Sequence, residues 1–405
     1  MFQTLSPFER LREQLKPISP GAAPIDLTVG SPQHAPPAFV SEALAANAGA
    51  VMAYPPIGGT ADLQAAITDW VAARYRLPAD FAAKCAVLPT SGSREGLFFA
   101  AITARDTVKK EGGALLFANP FYQTYPAAAH ALGLTPIPIA AHGSAIGNLE
   151  ALPAKTLSRA VAYYVGSPSN PEGHAATIAE WHALFEVALA NDIFVFADEC
   201  YSEIYREAAG PPTGALEAAA LMPEILPRLF VFNSLSKRSN LAGLRAGFVA
   251  GARAEITAMR NFRNQAAPQV PWPVQAAAAA AFRDETHVVE NRRLYDAKYS
   301  DAREILGPIF GDIVPDGGFF LWLPVGGDDV SVAQSLWSSA GVRVVPGSYL
   351  ALTRAGQNNP GRGYVRLALV ADRVVTREAL SRVRECVERG QTGERPASQI
   401  LRRSS

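Results

Sequence analysis

The sequence has few cysteines and no excess of charge of either sign. Only three cysteines occur in 405 residues, Cys85, Cys200 and Cys386. Their wide spacing and odd number favour reduced thiols in a cytoplasm over a disulfide framework, and give no metal-binding pattern. The 37 basic and 37 acidic side chains cancel, so the charge gives no indication of nucleic acid or an anionic membrane as partner. We therefore expect a small-molecule partner.

The sequence also lacks long apolar runs. None is long enough to cross a bilayer, and residues 1–7 have no basic segment followed by an apolar stretch, so we expect a soluble, unprocessed, cytoplasmic protein. The composition is nevertheless 49% hydrophobic, which is enough for a large core. The alanine run at residues 276–281 predicts a buried helix. Residues 391–405 are polar and aperiodic, and we interpret them as a frayed tail.

Short apolar runs alternate with helix-length segments between residues 85 and 250. The runs lie at residues 85–88, 114–117, 161–165, 193–196, 229–232 and 246–250. Because they are apolar on both faces and are linked by crossovers, they predict an α/β fold with a mainly parallel sheet flanked by helices. Five runs precede polar or glycine-rich loops, at residues 90–93, 119–122, 166–171, 198–201 and 233–237. Parallel strands bring such loops to one edge, where ligands bind.

Lys237 is the candidate on which most of the chemistry depends. It ends the hydroxyl-rich segment Asn-Ser-Leu-Ser-Lys at residues 233–237, directly after an apolar run. A lysine amine can form a Schiff base with an aldehyde cofactor, and nearby hydroxyls can donate to a cofactor phosphate. If this segment stood alone, a solvated surface lysine would be the more common explanation. The other loops decide between the two interpretations.

Three of those loops carry groups that suit a phosphorylated pyridine ring. Residues 91–93, Ser-Gly-Ser, precede an apparent helix, whose free N–H groups suit a phosphate, although an ordinary helix cap has the same pattern. Asp198, at the end of a strand, can keep a pyridine nitrogen protonated or can simply cap the next helix. Tyr201 and Asn170 can donate to a ring oxygen, although Asn-Pro is usually only a turn. These loops predict one shared site.

Further candidates are aromatic and cationic. Tyr122 can stack on a ring, although a core aromatic residue is common at such a position. Arg245 can bind a phosphate with both guanidinium nitrogens, and a surface arginine fits equally. Arg366 lies within the apolar strand-like run at residues 363–369, where no acidic residue is available as a partner. A buried charge needs a partner, so Arg366 predicts a substrate carboxylate.

Together these motifs resemble the fold-type I pyridoxal-phosphate aminotransferases of the aspartate aminotransferase superfamily, in the same order and over nearly the whole chain. The resemblance implies pyridoxal phosphate (PLP) as cofactor and a catalytic group of Lys237, Asp198 and Tyr201. It assigns the remaining cofactor contacts to Tyr122 for stacking, Asn170 for the ring oxygen, and Ser91, Gly92, Ser93, Ser234, Ser236 and Arg245 for the phosphate. It places Gly30, Asn170 and Arg366 at the substrate.

The resemblance also implies a homodimer with composite active sites, because Tyr54 matches a tyrosine that reaches the phosphate of the neighbouring subunit. One departure is Glu172, where the family usually has threonine. The side chain at this position points away from the ring in the family, so the assignment of Asn170 is unaffected. We expect a large PLP-binding domain at residues 46–282, a smaller α+β domain from residues 1–45 and 283–390, and the polar tail.

A finer resemblance concerns the substrate. Residues 234–245, residues 287–292, the segment Pro-Phe-Glu-Arg-Leu at 7–11 and residues 317–323 are similar to the N-succinyldiaminopimelate aminotransferases of lysine and peptidoglycan precursor synthesis. This implies glutamate and 2-oxoglutarate as the second substrate pair. Other aminotransferase substrates (acetylornithine, aspartate or an aromatic amino acid) and a PLP-dependent C–S lyase are the alternatives. A transcriptional regulator would need a basic DNA-binding module before Gly30, where too little chain is present.

Overall fold

The computed structural model describes residues 6–141, 143–353, 356 and 358–391. Within these residues there are twelve strands: β1 (Ile25–Asp26), β2 (Cys85–Thr90), β3 (Ala114–Asn119), β4 (Thr135–Ala140), β5 (Ala160–Gly166), β6 (Phe194–Asp198), β7 (Leu229–Ser234), β8 (Gly247–Ala252), β9 (Phe320–Pro324), β10 (Val342–Arg343), β11 (Val345–Pro346) and β12 (Tyr364–Ala368). The predicted tail at 391–405 falls outside the described residues, apart from Gln391.

The same residues form fifteen α-helices: α1 (Pro7–Leu15), α2 (Ala38–Ala46), α3 (Ala61–Arg74), α4 (Ala79–Ala82), α5 (Ser93–Val108), α6 (Thr124–Ala131), α7 (Ala154–Leu157), α8 (Ile178–Asn191), α9 (Ala215–Leu221), α10 (Leu235–Arg238), α11 (Arg253–Ala266), α12 (Trp272–Arg283), α13 (Thr286–Phe310), α14 (Asp329–Ala340) and α15 (Arg373–Gln391). Helix α12 contains the alanine run and buries most of it, as predicted.

A seven-stranded sheet forms the centre of the molecule, in the order β2-β8-β7-β6-β5-β3-β4. Strands β3 to β7 run parallel to one another, whereas β8 is antiparallel to both β2 and β7. All six apolar runs identified in the sequence are strands of this sheet. The predicted α/β class and mainly parallel sheet are therefore confirmed. The five polar loops follow strands that point the same way, so they meet at one edge.

Both faces of the large sheet are covered by helices, as the two-sided apolar character of its strands requires. One face packs against α3, α8 and α12, with Trp70, Trp181 and Phe282 among the buried side chains. The other face packs against α5, α6 and α11 and buries Leu97 and Met259. Because these strands are buried on both faces, polar side chains cluster in the loops at the strand ends instead.

A second core surrounds a smaller antiparallel sheet, in the order β11-β12-β9. Helices α13, α14 and α15 supply most of its remaining apolar contacts. The short strand β1 pairs with β10 and so attaches the N-terminal segment to this part of the molecule. The division at residues 46–282 stays a prediction. Among the described residues, no helix combines the length and the apolar character needed to span a membrane, and all three cysteines are free.

Candidate active site

A cavity of about 260 Å³ opens at the edge where the strands of the large sheet end, and is closed on its other side by the smaller sheet. Eight residues predicted as site residues line it: Gly30, Ser93, Tyr122, Asn170, Asp198, Tyr201, Lys237 and Arg366. They come from seven different segments that lie far apart in the chain. The fold therefore brings together groups that the sequence placed separately.

Lys237 occupies the short helix α10, directly after β7. Its Nζ atom donates a hydrogen bond to the carbonyl of Gly30 and lies 5.4 Å from the centre of the Phe319 ring. Burial lowers the pKa of Lys237 to about 8, because removing the ammonium from water disfavours the charged form. An amine with this pKa is about one-fifth neutral near physiological pH, a far larger neutral fraction than an ordinary lysine has, and the neutral form is the one that attacks an aldehyde.

Asp198 ends strand β6 and faces the same cavity. The hydroxyl of Tyr125 donates to its Oδ2 atom at 2.9 Å, and the N–H of Cys200 donates to Oδ1 at 3.4 Å. Burial nevertheless raises the pKa of Asp198, because two neutral donors only partly replace the lost water. No cation pairs directly with this carboxylate among the described residues. A protonated ring nitrogen would supply one.

Arg366 lies in the middle strand of the smaller sheet, and only 4% of it is exposed. Its Nη1 atom donates to Asn170 Oδ1 at 2.9 Å, and Nη2 donates to the carbonyl of Thr28 at 2.7 Å. Its Nε atom is buried without a partner, and burial lowers the pKa of Arg366 to about 10. The guanidinium stays charged at neutral pH with spare hydrogen-bonding capacity, which suits a carboxylate.

The groups predicted for a phosphate lie beside the cavity. Gly92 precedes α5 with a φ of +84° and has no side chain to cap the helix. Arg245 donates from Nη2 to the carbonyl of Ser91 at 3.1 Å. Ser234 Oγ lies 2.8 Å from Ser236 Oγ. Free N–H groups at the start of a sixteen-residue helix, two hydroxyls and a guanidinium are a suitable donor set for a phosphate dianion.

Three tyrosines predicted for the site have different environments. Tyr201 lines the cavity, and its ring centre lies 6.0 Å from Lys237 Nζ. Tyr122 also lines the cavity, and its hydroxyl accepts a hydrogen bond from Arg94 Nε at 2.7 Å. Tyr54 lies outside it and is 93% exposed. The single chain therefore assembles every predicted group near the cavity except Tyr54.

Several residues that the sequence analysis did not identify also line the cavity. The hydroxyl of Tyr125 donates to Asp198, and Cys200 lies two residues after Asp198. Arg94 extends into the cavity from α5. Glu172, which the sequence analysis noted only as a departure from the family and did not place in the site, is a fourth, and burial raises its pKa to about 7. Tyr125 lies three residues after Tyr122, in helix α6, which follows the loop at residues 119–122. This closeness to Tyr122 could have indicated Tyr125 as a candidate site residue, but only the fold reveals its contact with Asp198.

The residues present fit PLP. The cavity offers a buried amine of lowered pKa, a carboxylate without a directly paired cation, and a neighbouring cluster of phosphate donors. A side chain at Gly92 would place its Cβ atom 2.3 Å from Arg245 Nη2, so the turn requires glycine for this close approach. Fold and cavity together define an enzyme that binds a phosphorylated aldehyde cofactor and a carboxylate-bearing substrate.

Comparison with known proteins agrees with this definition. The model of the family "aminotransferase class I and II" matches residues 22–383. A solved aminotransferase of Neisseria meningitidis is 35% identical and superposes with a TM-score of 0.87, covering 94% of this chain and 97% of that chain. The chain therefore belongs to the class I and II aminotransferases. It is a PLP-dependent transaminase, as the motifs predicted.

Two further similar proteins are described as diaminopimelate or succinyldiaminopimelate aminotransferases. An LL-diaminopimelate aminotransferase of Maridesulfovibrio salexigens is 27% identical over 393 residues, which is 94% of this chain and 96% of that protein. A structure from Thermus thermophilus, described as a probable N-succinyldiaminopimelate aminotransferase, is 24% identical, covers 94% of this chain and 100% of that chain, and has a TM-score of 0.80. At this identity the second likeness concerns the fold alone.

Proposed function

We propose that the protein transfers an amino group between glutamate or 2-oxoglutarate and N-succinyl-LL-2,6-diaminopimelate, as a homodimer with composite active sites. The observation that carries the amino-acid part is the buried guanidinium of Arg366, which faces the cavity of Lys237 with an unpartnered Nε atom. A carboxylate on Arg366 would hold the α-carbon of an amino acid between the guanidinium and the amine. That geometry suits proton transfer at the α-carbon.

The proposed roles follow from the position of each side chain. PLP, when bound, supplies an electron sink for the substrate α-carbon. Lys237 takes the α-proton as a base and returns it as an acid, which its lowered pKa favours. Asp198 would hold a proton on the ring nitrogen, while Tyr201 and Asn170 would donate to the ring oxygen. Tyr122 would pack on the ring face.

The distal part of the substrate needs its own binding partners. N-Succinyl-LL-diaminopimelate ends in two carboxylates, and removing a carboxylate from water without a partner costs several kcal/mol. Arg94 lines the cavity and is fixed toward it by the hydrogen bond to Tyr122. We assign Arg94 to the succinyl end. The sequence similarity to succinyldiaminopimelate enzymes supports the same substrate.

LL-Diaminopimelate is the second candidate, because the cavity wall also carries an acid. Its distal end has an ammonium beside a carboxylate, and Glu172 could pair with the ammonium. A relative of 27% identity over 94% of this chain is an LL-diaminopimelate aminotransferase. An ionised Glu172 would instead oppose the succinyl carboxylates. Arg94 thus favours the succinylated substrate, whereas Glu172 favours LL-diaminopimelate.

The test is a comparison of amino donors with 2-oxoglutarate as acceptor. N-Succinyl-LL-diaminopimelate, LL-diaminopimelate, acetylornithine, aspartate and phenylalanine are each assayed for glutamate formation. The succinylated compound should have the highest kcat/KM. Should any other donor exceed it tenfold, about 1.4 kcal/mol of transition-state preference, the succinyl assignment is wrong.

Two variants connect the result to the residues. Arg94→Gln should raise KM for the succinylated compound and change KM for LL-diaminopimelate little. Glu172→Gln should have the opposite pattern, because it removes the partner of the distal ammonium. If both variants leave both KM values unchanged, neither side chain recognises the distal group.

A further inference from the structure

A chain of hydrogen bonds lies behind Lys237 and outside the catalytic cavity. Asn291 Nδ2, on α13, donates to the carbonyls of Lys237 and Arg238 at 3.4 and 3.3 Å. Asn291 Oδ1 lies 2.7 Å from His34 Nδ1, and Lys298 Nζ lies 2.7 Å from His34 Nε2. Lys298 also donates to the carbonyl of Leu369 at 3.0 Å. Leu369 is three residues beyond Arg366.

The contacts of Asn291 fix the direction of donation along this chain of hydrogen bonds. Because Asn291 Nδ2 faces two carbonyls, its Oδ1 atom must accept. Asn240 Nδ2 donates to the same oxygen at 3.1 Å, which supports this orientation. His34 must therefore carry its proton on Nδ1 and accept from Lys298 on Nε2. The chain is complete only when His34 is neutral.

His34 also ends the segment that spans the cavity, residues 27–34, which we call the strap. Arg366 donates to the carbonyl of Thr28 at 2.7 Å, and Lys237 donates to the carbonyl of Gly30. Ala368 N donates to the carbonyl of Leu27 at 2.8 Å. The strap thus touches both the amine and the guanidinium of the site. Its far end is held by Asn291 and Lys298.

Lys298 is unusual because it is buried without an acid. Only 1% of it is exposed, and among the described residues no carboxylate forms an ion pair with it. Burial lowers its pKa to about 8. A buried ammonium without a counter-ion destabilises a fold, whereas an apolar residue would pack there at less cost. This argues that Lys298 serves the site rather than stability.

We propose that His34, Asn291 and Lys298 are positioning residues that hold the strap in place and thereby set the spacing between Lys237 and Arg366. We call these three residues the lock. The inference rests on the proposed roles of those two residues. Misplacing reacting groups by a fraction of an ångström lowers the rate of the chemical step more than it weakens binding. Loss of the lock should therefore lower kcat more than it raises KM.

The lock also responds to pH. A proton on His34 Nε2 would face the Lys298 amine, so two donors would oppose each other. Burial lowers the pKa of His34 below its usual value of 6.5, so the neutral form persists to lower pH and the lock fails only on the acid side. The other titratable groups here are Tyr295, whose ring lies 4.7 Å from the His34 ring, and Asp372, which favours a charged Lys298.

The test uses four variants of the PLP-loaded protein. His34→Leu and Lys298→Met remove the lock, whereas His34→Gln retains one donor and one acceptor but cannot be protonated. Lys110→Met is the control, because Lys110 is also partly buried and donates to two carbonyls at 2.6 Å. The kcat and KM for L-glutamate, or for the best donor of the panel, are measured at about pH 5.5 and about pH 7.5. Cofactor absorbance and thermal midpoint are measured alongside.

His34→Leu and Lys298→Met should keep the cofactor band and lose kcat about tenfold or more at the higher pH, with a smaller change in KM. Their deficit relative to wild type should shrink at the lower pH, where protonation of His34 weakens the wild-type lock. His34→Gln and Lys110→Met should stay near wild type at the higher pH. The fall of kcat on acidification should be about threefold smaller in His34→Gln than in wild type. Unchanged kcat in His34→Leu, or an acid fall in His34→Gln equal to that of wild type, overturns the lock. Failure of the succinyl substrate alone would leave this result intact.

Discussion

Burial pushes the two central side chains of the site toward neutrality. It lowers the pKa of Lys237 to about 8 and raises the pKa of Asp198. A protonated ring nitrogen beside Asp198 would restore its charge, and a neutral amine is the reactive form of Lys237. Both residues could be identified from the sequence because each directly follows an apolar strand. The contacts of Tyr125 and Asn291 could not, since they depend on how separate elements pack.

The first prediction concerns Asp198. Asp198→Asn should keep PLP but lower turnover by about 100-fold or more, because an amide cannot hold a proton on the ring nitrogen. Tyr125→Phe is the matched variant, since it removes one hydrogen bond to Asp198 but leaves the charge. It should lose much less activity. Steady-state kinetics and cofactor absorbance distinguish these results, and near-normal turnover in Asp198→Asn would reduce Asp198 to a structural residue.

The pKa of Lys237 predicts how the apoprotein captures PLP. With a pKa of about 8, the neutral fraction of the amine rises about tenfold between pH 7 and pH 9 and then levels off. The capture rate, followed by the growth of the visible band, should do the same. A lysine of ordinary pKa would give a rise of about 100-fold with no plateau, and that result would contradict the effect of burial.

At the scale of elements, the site is built where strands end. The apolar runs predicted six of the seven strands of the large sheet, but β4 was missed. Its sequence contains Pro136 and Pro138, and proline normally argues against a strand because it cannot donate to a neighbour. The strand lies at the sheet edge, where proline is tolerated. The antiparallel direction of β8 was equally hidden, because an apolar run does not encode direction.

Gly92 lies in the turn between β2 and α5, where a larger residue should disturb the phosphate site. Gly92→Ala should weaken PLP binding tenfold or more, because the new Cβ atom would lie 2.3 Å from Arg245 Nη2 and displace it. A hydrogen bond to a charged group contributes about 1.5–3 kcal/mol, roughly tenfold to 100-fold in affinity. Gly133→Ala is the control, since Gly133 has a φ of +67° and a Cβ atom added there would have no neighbouring atom within 4 Å.

Equilibrium dialysis or titration of the apoprotein with PLP measures the effect of Gly92→Ala. Both positions have a positive φ, which a residue with a Cβ atom rarely adopts, so thermal unfolding should shift in both variants. Only Gly92→Ala should lose affinity. An equal loss in the two variants would indicate that strain, rather than the contact with Arg245, is responsible.

At the scale of the whole molecule, the single chain leaves an apolar surface exposed around Tyr54. Tyr54 is 93% exposed, and it lies beside Val51 and Met52, which are 69% and 93% exposed. Clustered exposed apolar side chains are typical of an interaction surface. They support the proposal that this surface packs on a second copy and that Tyr54 reaches the partner's phosphate. A sequence alone indicates such a surface only through resemblance, because local patterns do not distinguish an exposed loop from an interface.

Subunit mixing tests the composite site. Tyr54→Ala and Lys237→Ala homodimers should each have low activity, and exchange of subunits should restore about one intact site per mixed dimer. Exchange is confirmed by two different affinity tags. If exchange occurs and activity stays at the level of the separate variants, each active site is contained in a single chain.

Covalent binding of PLP by Lys237 underlies every role proposed for this transaminase site. It is tested most directly by reducing the PLP-loaded protein with borohydride and mapping the modified peptide by mass spectrometry. We predict a single phosphopyridoxyl group on Lys237, and none anywhere in Lys237→Ala treated in the same way. Modification of a different lysine in the wild-type protein, or an unmodified Lys237 in protein that transaminates, would contradict the account.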